Sequence, residues 1–382
     1  MRTKVRIQVL IGSLLMLSML LSACGGGGEE EPIRIGVIAG LSGAGTSYGL
    51  GIEQGAEMAV DEINEEGGIN GRLVELVIVD DASDPSQTVT AMQRLIDQEN
   101  VDVIVGGWGS SQVLAHQGTV EAAGVPYVIV GATNPAITSE ENTWSFRVIK
   151  SDALQALEIA DVAVNTLSCE TIAIMFDSND YGTGNRDIFV QGLSDIGVEP
   201  AVEETYQTND KDFTAQLTNI REFEPDCMAI FGTIPAAPAI MEQARDLGIT
   251  ARFIGTGGLA NEQLMGLAGD AAEGTILTTY FHEDTDPEAG AWAARYIEKY
   301  SGGDAPPRPV LAAWEYRVIR YIIAPILEEV GTDKEAVRQA LEDWEGTIPG
   351  LNGTVYFDET GQLVQESVLV EVRDGVFALY QP

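Results

Sequence analysis

Two short stretches place hydroxyl groups where they could bind a ligand. In "GGWGSS", Ser110 and Ser111 follow an apolar run and open a helical pattern; in "GATNP", Thr133 stands the same way after the next run. A helix N-terminus carries unpaired amide N–H groups at the positive end of its dipole. Hydroxyls there either help clamp an anionic group or cap their own helices. A third stretch, "GLSGAGTSYG" from Gly40 to Gly49, lies directly behind the apolar run "IRIGVIA". Its glycines Gly40, Gly43 and Gly45 are spaced G-x-x-G-x-G, whereas a dinucleotide loop needs G-x-G-x-x-G at the opening of a helix. The order is wrong for a nucleotide, which leaves a backbone-rich turn carrying Ser42, Ser47 and Tyr48. His116 and His282 are the only histidines, no Cys/His cluster surrounds either, and no G-x-S-x-G elbow occurs. A zinc site or a histidine-based triad has little to build on, so the expectation is no enzyme, no metal and no cofactor.

These stretches are positioned by alternating elements. From Ile33 onward, short β-branched runs alternate with helical periodicity. Ile52, Ala56, Ala59, Val60 and Ile63 share one helical face, which Gly67 and Gly68 end. The runs "LVELVIVDD", "VDVIVGG" and "VPYVIV" are strands, with helices between them, the last over Gln112 to Ala123. That is a doubly wound parallel sheet, in which ligands sit at the carboxyl ends of the strands. After "FRVIKSD" the alternation restarts with "TIAIMFD", "DCMAIFG" and "ARFIGTG" and helices near 184–196, 211–222 and 236–247. Two similar α/β halves in tandem result. Helical patterns at 288–300, 307–330 and 333–343 are additional, with Trp314, Tyr316 and Tyr321 as core. The tail alternates apolar and polar residues, which reads as antiparallel strands around "DETG" and "RDG" turns.

The first residues speak to compartment. Arg2, Lys4 and Arg6 precede an apolar run, Val9 to Leu21, that is short for a bilayer span. "LSAC", ending at Cys24, has the pattern of a lipoprotein cleavage site, and "GGGGEEEP" after it is a solvated tether. The expectation is a signal peptide over 1–23, a lipidated tether over 24–32 and an extracytoplasmic domain held to a membrane only by lipid at Cys24. Charge is lopsided, with 59 acidic against 21 basic residues and a net −38. Such a surface repels nucleic acid. Besides Cys24 there are only Cys169 and Cys227, which form either one bridge or two buried thiols.

The run "SGAGTSYGLGIEQGAEMAVDEINEEGGINGRLVELVIVDDASDP" resembles the leucine/isoleucine/valine-binding protein family, solute receptors for ABC importers. The resemblance continues through "VDVIVGGWGSSQVLA", "VPYVIVGATNPAIT", "FRVIKSD", "DYGTG", "KDFTAQLTNI" and "QARDLGI". It implies the type I periplasmic binding protein fold: two doubly wound parallel-sheet lobes joined by three crossovers, closing over a small ligand. The crossovers fall near residues 148, 278 and 349, giving an N-terminal lobe of 33–148 plus 279–349 and a C-terminal lobe of 149–278 plus 350–382. The implied partners are a carboxylate-bearing small molecule and an ABC permease, with the chain acting as a monomer. A sensor feeding a regulator, without transport, is the alternative use of the same fold.

Residue by residue, the resemblance assigns the ligand's carboxylate to Ser110 and Thr133, with Ser111 and Ala132 beside them, and its ammonium to the Gly131 carbonyl. Tyr48 and Tyr181 wall the cleft, and Trp108 stands at its mouth. Two positions depart from the family. Gly257 stands where amino-acid-binding members carry a glutamate that pairs with the ammonium, and Thr233 stands where an aromatic often sits. The carboxylate half of the site is kept and the ammonium half is lost or moved, with Asp180 and Glu262 as substitutes from another direction. Carboxylic acids without an α-amino group, aryl or branched aliphatic, are therefore expected to bind better than leucine or valine.

The cleavage pattern has a direct test. Cys24→Ala should yield an unprocessed or mislocalised protein in cell fractionation, and normal cleavage with membrane retention would remove Cys24 as the anchor.

Overall fold

The run "IRIGVIA" forms β1 (Ile33–Ala39), whose side chains are buried on both faces apart from Arg34, as expected of a central strand in a parallel sheet. A computed structural model describes residues 31–301, 310–351, 353–365 and 368–381; the signal segment, Cys24 and most of the tether lie outside them. β1 is followed by helix α1 (Thr46–Glu65), then β2 (Val74–Asp80), α2 (Pro85–Gln93), β3 (Val103–Gly106), α3 (Ser110–Ala123), β4 (Tyr127–Ile129) and β5 (Ser145–Arg147). All pairings are parallel, in the order β2-β1-β3-β4-β5. Local chemistry fixes the helix ends. Asp84 caps α2 through the Ser86 and Gln87 amides, with Pro85 at the first position, and Gly124 ends α3 in the left-handed region.

The second half repeats the plan. α4 (Asp152–Asp161) leads to β6 (Ile172–Asp177), α5 (Asp180–Ile196), β7 (Val202–Tyr206), α6 (Thr214–Arg221), β8 (Cys227–Phe231), α7 (Ala237–Asp246), β9 (Arg252–Gly255), α8 (Gln263–Ala268) and β10 (Ile276–Thr279). The chain then crosses back. α9 (Pro287–Ser301) and α10 (Val310–Arg317) follow, and α10 lies so close along α1 that a Cβ on Gly55 would stand 2.3 Å from the Ala312 carbonyl oxygen. One π-helical turn, Val318–Ile323, joins α10 to α11 (Ala324–Val330), and α12 (Lys334–Glu342) completes this layer. Trp314 and Tyr316 are buried there, as the sequence suggests.

The tail departs from the expected boundary. β11 (Glu345–Gly346), β12 (Val355–Phe357) and β13 (Leu363–Val364) make a small separate antiparallel sheet. It packs on the end of the first lobe: the Phe357 ring meets Phe146 edge-on at 5.3 Å, and Gln362 bridges Arg147. Only β14 (Val368–Arg373) and β15 (Val376–Leu379) join the second sheet, antiparallel, in the order β15-β14-β10-β9-β8-β6-β7. The return expected near residue 349 therefore comes after Val364. The apolar side chains of Val355, Phe357 and Leu363, all buried, hold the intervening residues against the first lobe. Cys169 and Cys227 are bridged and close a loop of 58 residues. In the chain-entropy account, a loop of that length stabilises the fold by about 4 kcal/mol.

Between α2 and α3, His116 is fully buried; its Nδ1 lies 2.8 Å from Thr88 Oγ1 and its Nε2 has no hydrogen-bond partner. Burial pushes its pKa down from 6.5 to about 3. Below the unfolded value, the unfolded chain takes up a proton that the folded protein refuses, so this stability is present above pH 6.5 and is lost as pH falls toward 3. Between pH 6.5 and about pH 5 the loss amounts to roughly 2 kcal/mol. His116→Gln should flatten the acid limb of thermal stability by that amount, and an unchanged pH slope in melting experiments would contradict the assignment.

Candidate functional site

A cavity of about 220 Å³ lies where the carboxyl ends of the two sheets face each other. In both sheets the strand order reverses beside the first strand, between β1 and β3 and between β6 and β8, and loops splay apart at such points to leave a crevice. Tyr48, Trp108, Ser110 and Ser111 come from the first reversal, and Asn179, Tyr181 and Thr233 from the second. Gly131 and Thr133 follow β4, Gly257 and Gly258 follow β9, and Tyr280 follows β10. Of the clamp and wall residues assigned from sequence, Ala132 stays outside the lining. Its N–H donates to the Gly107 carbonyl at 3.1 Å, and its methyl group packs in the core with Ile38 and Val113.

The glycine loop turns out to seat an aromatic ring. A Cβ on Gly45 would lie 2.3 Å from the Trp108 ring and one on Gly40 2.6 Å from its Nε1. The indole also stacks on Tyr48, with centroids 5.6 Å apart and planes 12° apart. One side of the cavity is thus a two-ring wall. The loop is held by Asp80, which accepts from the amides of Leu41, Ser42 and Ala82 and from the Ser42 hydroxyl.

The start of α3 faces the cavity without a cap. Its N-cap is Gly109, which has no side chain to offer, and Ser110 is already helical. Ser110 Oγ accepts the Asn134 N–H at 3.2 Å, which leaves its own proton for another acceptor. Thr133 Oγ1 is buried without a well-formed hydrogen bond. Capping, the alternative use of both residues, is therefore not how these hydroxyls are spent. Behind Thr133 the Asp152 carboxyl is fully buried; burial pushes it up to about 7, against the pull of the Thr133 hydroxyl, the Arg147 guanidinium and Asn185.

Hydrogen bonds cross the cleft. Tyr48 Oη donates to the Gly258 carbonyl at 2.7 Å and accepts the Ile234 N–H at 3.1 Å. The Gly258 N–H donates to Tyr181 Oη at 3.0 Å. Thr256 Oγ1 gives its only proton to Asn185, so at the 2.9 Å contact with Thr256 the Tyr181 hydroxyl is the donor. Both tyrosines are kept protonated by burial. Ser111 Oγ donates to Asp180 Oδ2 at 2.6 Å and accepts the Asp180 N–H, while Asn134 donates to the Asp180 carbonyl. Tyr48, Ser111 and Asn134 belong to the first lobe and their partners to the second, so the two lobes are closed on each other.

Several lining residues carry no signal that the sequence reading used. Ser83, Gln112, Asn179, Thr208, Asn209, Asn261 and Tyr280 all border the cavity. Thr208 and Asn209 lie just beyond β7 and Tyr280 just beyond β10, so the rule that ligands sit at strand carboxyl ends would have flagged them. Asp180 and Glu262, the carboxylates suggested as charge partners, do not line it. Among the described residues no group of three or more His, Cys, Asp or Glu side chains is placed to hold a metal ion.

Residues 32–376 match the family described as periplasmic binding protein. The chain is 32% identical to the Leu/Ile/Val-binding protein of Rhizobium johnstonii, an alignment that covers 88% of this chain and 90% of that one. Among solved structures, a leucine-binding protein from Thermotoga maritima superposes with a TM-score of 0.82 at 28% identity, covering 91% of this chain and 98% of that one. The branched-chain amino acid transporter substrate-binding protein of Streptococcus pneumoniae, in complex with isoleucine, gives 0.81 at 26%, covering 91% and 97%. The architecture of two sheets linked by three passes of chain is the type I fold of these proteins.

The cross-cleft bonds generate a prediction. Tyr48→Phe keeps the stacked ring and removes two hydrogen bonds that exist only when the lobes are closed, so the closed form loses roughly 1 kcal/mol for each. The dissociation constant of a carboxylate that the wild type binds should rise by about tenfold or more in calorimetry, and an unchanged constant would show that closure does not depend on Tyr48 Oη.

Proposed function

Since the chain belongs to the periplasmic binding protein family, whose members work outside the cytoplasm, we propose that it captures a small carboxylate-bearing solute between its lobes and presents the closed complex to an ABC permease. The observation that carries this reading is the uncapped start of α3, where the first amides have no side-chain cap and Ser110 has a proton to give, with the Thr133 hydroxyl buried in the same lining. Buried polar groups in native proteins are nearly always hydrogen-bonded, and an anion is the species that two hydroxyls and a row of amide donors would satisfy together. The Rhizobium johnstonii relative is named for leucine, isoleucine and valine, each of which carries such a carboxylate.

In this reading the open protein binds the carboxylate on the first lobe. Closure then brings Tyr181 and the Gly257–Gly258 loop over the remainder of the ligand, hinging where the chain passes between sheets near residues 148 and 280 and after Val364. The chain binds and releases its ligand without turning it over; neither His116 nor His282 lines the cavity. Anchoring through a lipid on Cys24 would keep it beside the membrane that holds the permease.

The test uses the clamp. Carboxylates that raise the melting temperature of the wild type identify ligands, because binding to the native state alone stabilises it. Thr133→Val keeps the shape and removes the hydroxyl, so affinity for such a ligand should drop by roughly tenfold or more, the scale of a charge-assisted hydrogen bond. Undiminished affinity would take the Thr133 side chain out of the site.

A further inference from the structure

We propose that Tyr280 sets the charge class of the ligand: its neutral ring fills the space beside Gly257 and makes the cleft a site for carboxylic acids that carry no ammonium group. The proposal rests on the carboxylate reading above and says what stands at the other end of the ligand.

The argument starts from space. A Cβ on Gly257 would lie 2.6 Å from Tyr280 Cε2, 2.6 Å from its Oη and 2.7 Å from Cζ. No side chain, acidic or otherwise, fits at position 257 while the ring is there. The ring has little freedom to leave. Tyr280 is buried at the end of β10, its carbonyl accepts the Trp314 indole N–H at 3.2 Å, and Trp314 is itself fully buried. From below, Gln155 Oε1 accepts both the Gly257 N–H at 3.2 Å and the Thr278 hydroxyl at 2.7 Å, which ties the β9 loop to β10. Burial and the nearby Asp152 carboxylate hold the Tyr280 hydroxyl protonated. The group that occupies this corner is uncharged.

Nothing else in the lining supplies a negative charge. Among the described residues that border the cavity there is no Asp or Glu, and no Lys, Arg or His either. Asp180 is engaged by Ser111 and Asn134 in the bonds that cross the cleft. Glu262 borders a different cavity, with His282 and Phe377. Asp152 lies behind Thr133, outside the lining, and shares its buried surroundings with the Arg147 guanidinium. An ammonium group carried into this closed cleft would lose its water and meet only hydroxyl and carbonyl dipoles, an unfavourable exchange for a full charge. Removing the ammonium removes the penalty and leaves the carboxylate clamp untouched.

The experiment is calorimetry with pairs of ligands that differ only in the amino group: leucine against 4-methylpentanoate, and phenylalanine against 3-phenylpropanoate. The wild type should bind the better deamino acid at least roughly a hundredfold more tightly than its amino acid. Tyr280→Phe, which keeps the ring, should keep the discrimination. Tyr280→Ala combined with Gly257→Glu opens the space and puts a carboxylate into it, and should narrow or reverse the preference. Tighter binding of the amino acids by the wild type, or loss of discrimination in Tyr280→Phe, would overturn the role of Tyr280 and leave the carboxylate reading standing. Binding of the matching primary amides without any binding of the acids would overturn the carboxylate reading itself, and this inference with it.

Discussion

The indole of Trp108 lies against the β1–α1 loop because Gly40 and Gly45 carry no side chains, and the same device recurs across the cleft. Tyr181 reaches Gly258 where a Cβ would stand 2.3 Å from its hydroxyl, and Tyr280 fills the space beside Gly257. At each place a ring touches bare backbone. The gain is rigidity: aromatic rings have few rotamers to lose and bury large areas, and a ring seated on main chain cannot drift without moving a strand end. The loss is substitutability, since any side chain at these glycines must displace a ring from a packed interior. The shape of the cavity therefore depends on which positions are glycine as much as on which residues line it.

Closure uses the same backbone. Gly258 gives its carbonyl to Tyr48 from one lobe and its N–H to Tyr181 from the other, so one peptide segment joins the lobes while presenting no side chain to the cavity. Each bond contributes little on its own in water; those from Tyr48 cross between the lobes, while the Tyr181 bond steadies Gly258 within its own lobe. The Ser111–Asp180 and Asn134–Asp180 bonds cross the cleft in the same way, and a ligand shifts an open–closed equilibrium only by as much as it favours one state over the other.

Much of this is legible in the residues. Strand and helix order follows from periodicity, and the doubling of the α/β plan after "FRVIKSD" is visible without any structure. Ser110, Thr133, Tyr48 and Tyr181 can be found because they lie near strand carboxyl ends and within motifs that resemble a known family. Trp108 is legible as a residue of the cleft mouth, but its seat is not: it packs on Gly40 and Gly45, which lie far from it in sequence. Tyr280 is marked by its place just beyond β10, but its role is not, since that comes from Gly257 on the adjacent strand's end. The third crossover comes later than the pattern suggests because a short run such as "VYF" does not show which lobe it packs against; its small sheet and the Phe357–Phe146 contact decide it. Local pattern identifies elements, and contacts between elements of distant sequence decide the site.

Long-range and short-range electrostatics pull in opposite directions here. With a net charge of −38, the protein repels an approaching anion, and only screening over a Debye length of about 8 Å at physiological ionic strength makes that repulsion tolerable. An anionic ligand cannot be drawn in by the field of the whole molecule, as it is for proteins with a complementary patch. In the proposed reading it is held by what acts within hydrogen-bond distance: the first amides of α3, the Ser110 proton and the Thr133 hydroxyl. Such dipoles are effective only where water is excluded, because in bulk solvent their interaction with a charge is largely lost. Closure of the lobes is what would exclude the water, so in the proposed reading the Tyr48–Gly258 fastening and the carboxylate clamp are two parts of one device, the first making the second strong enough to hold an anion inside an acidic protein.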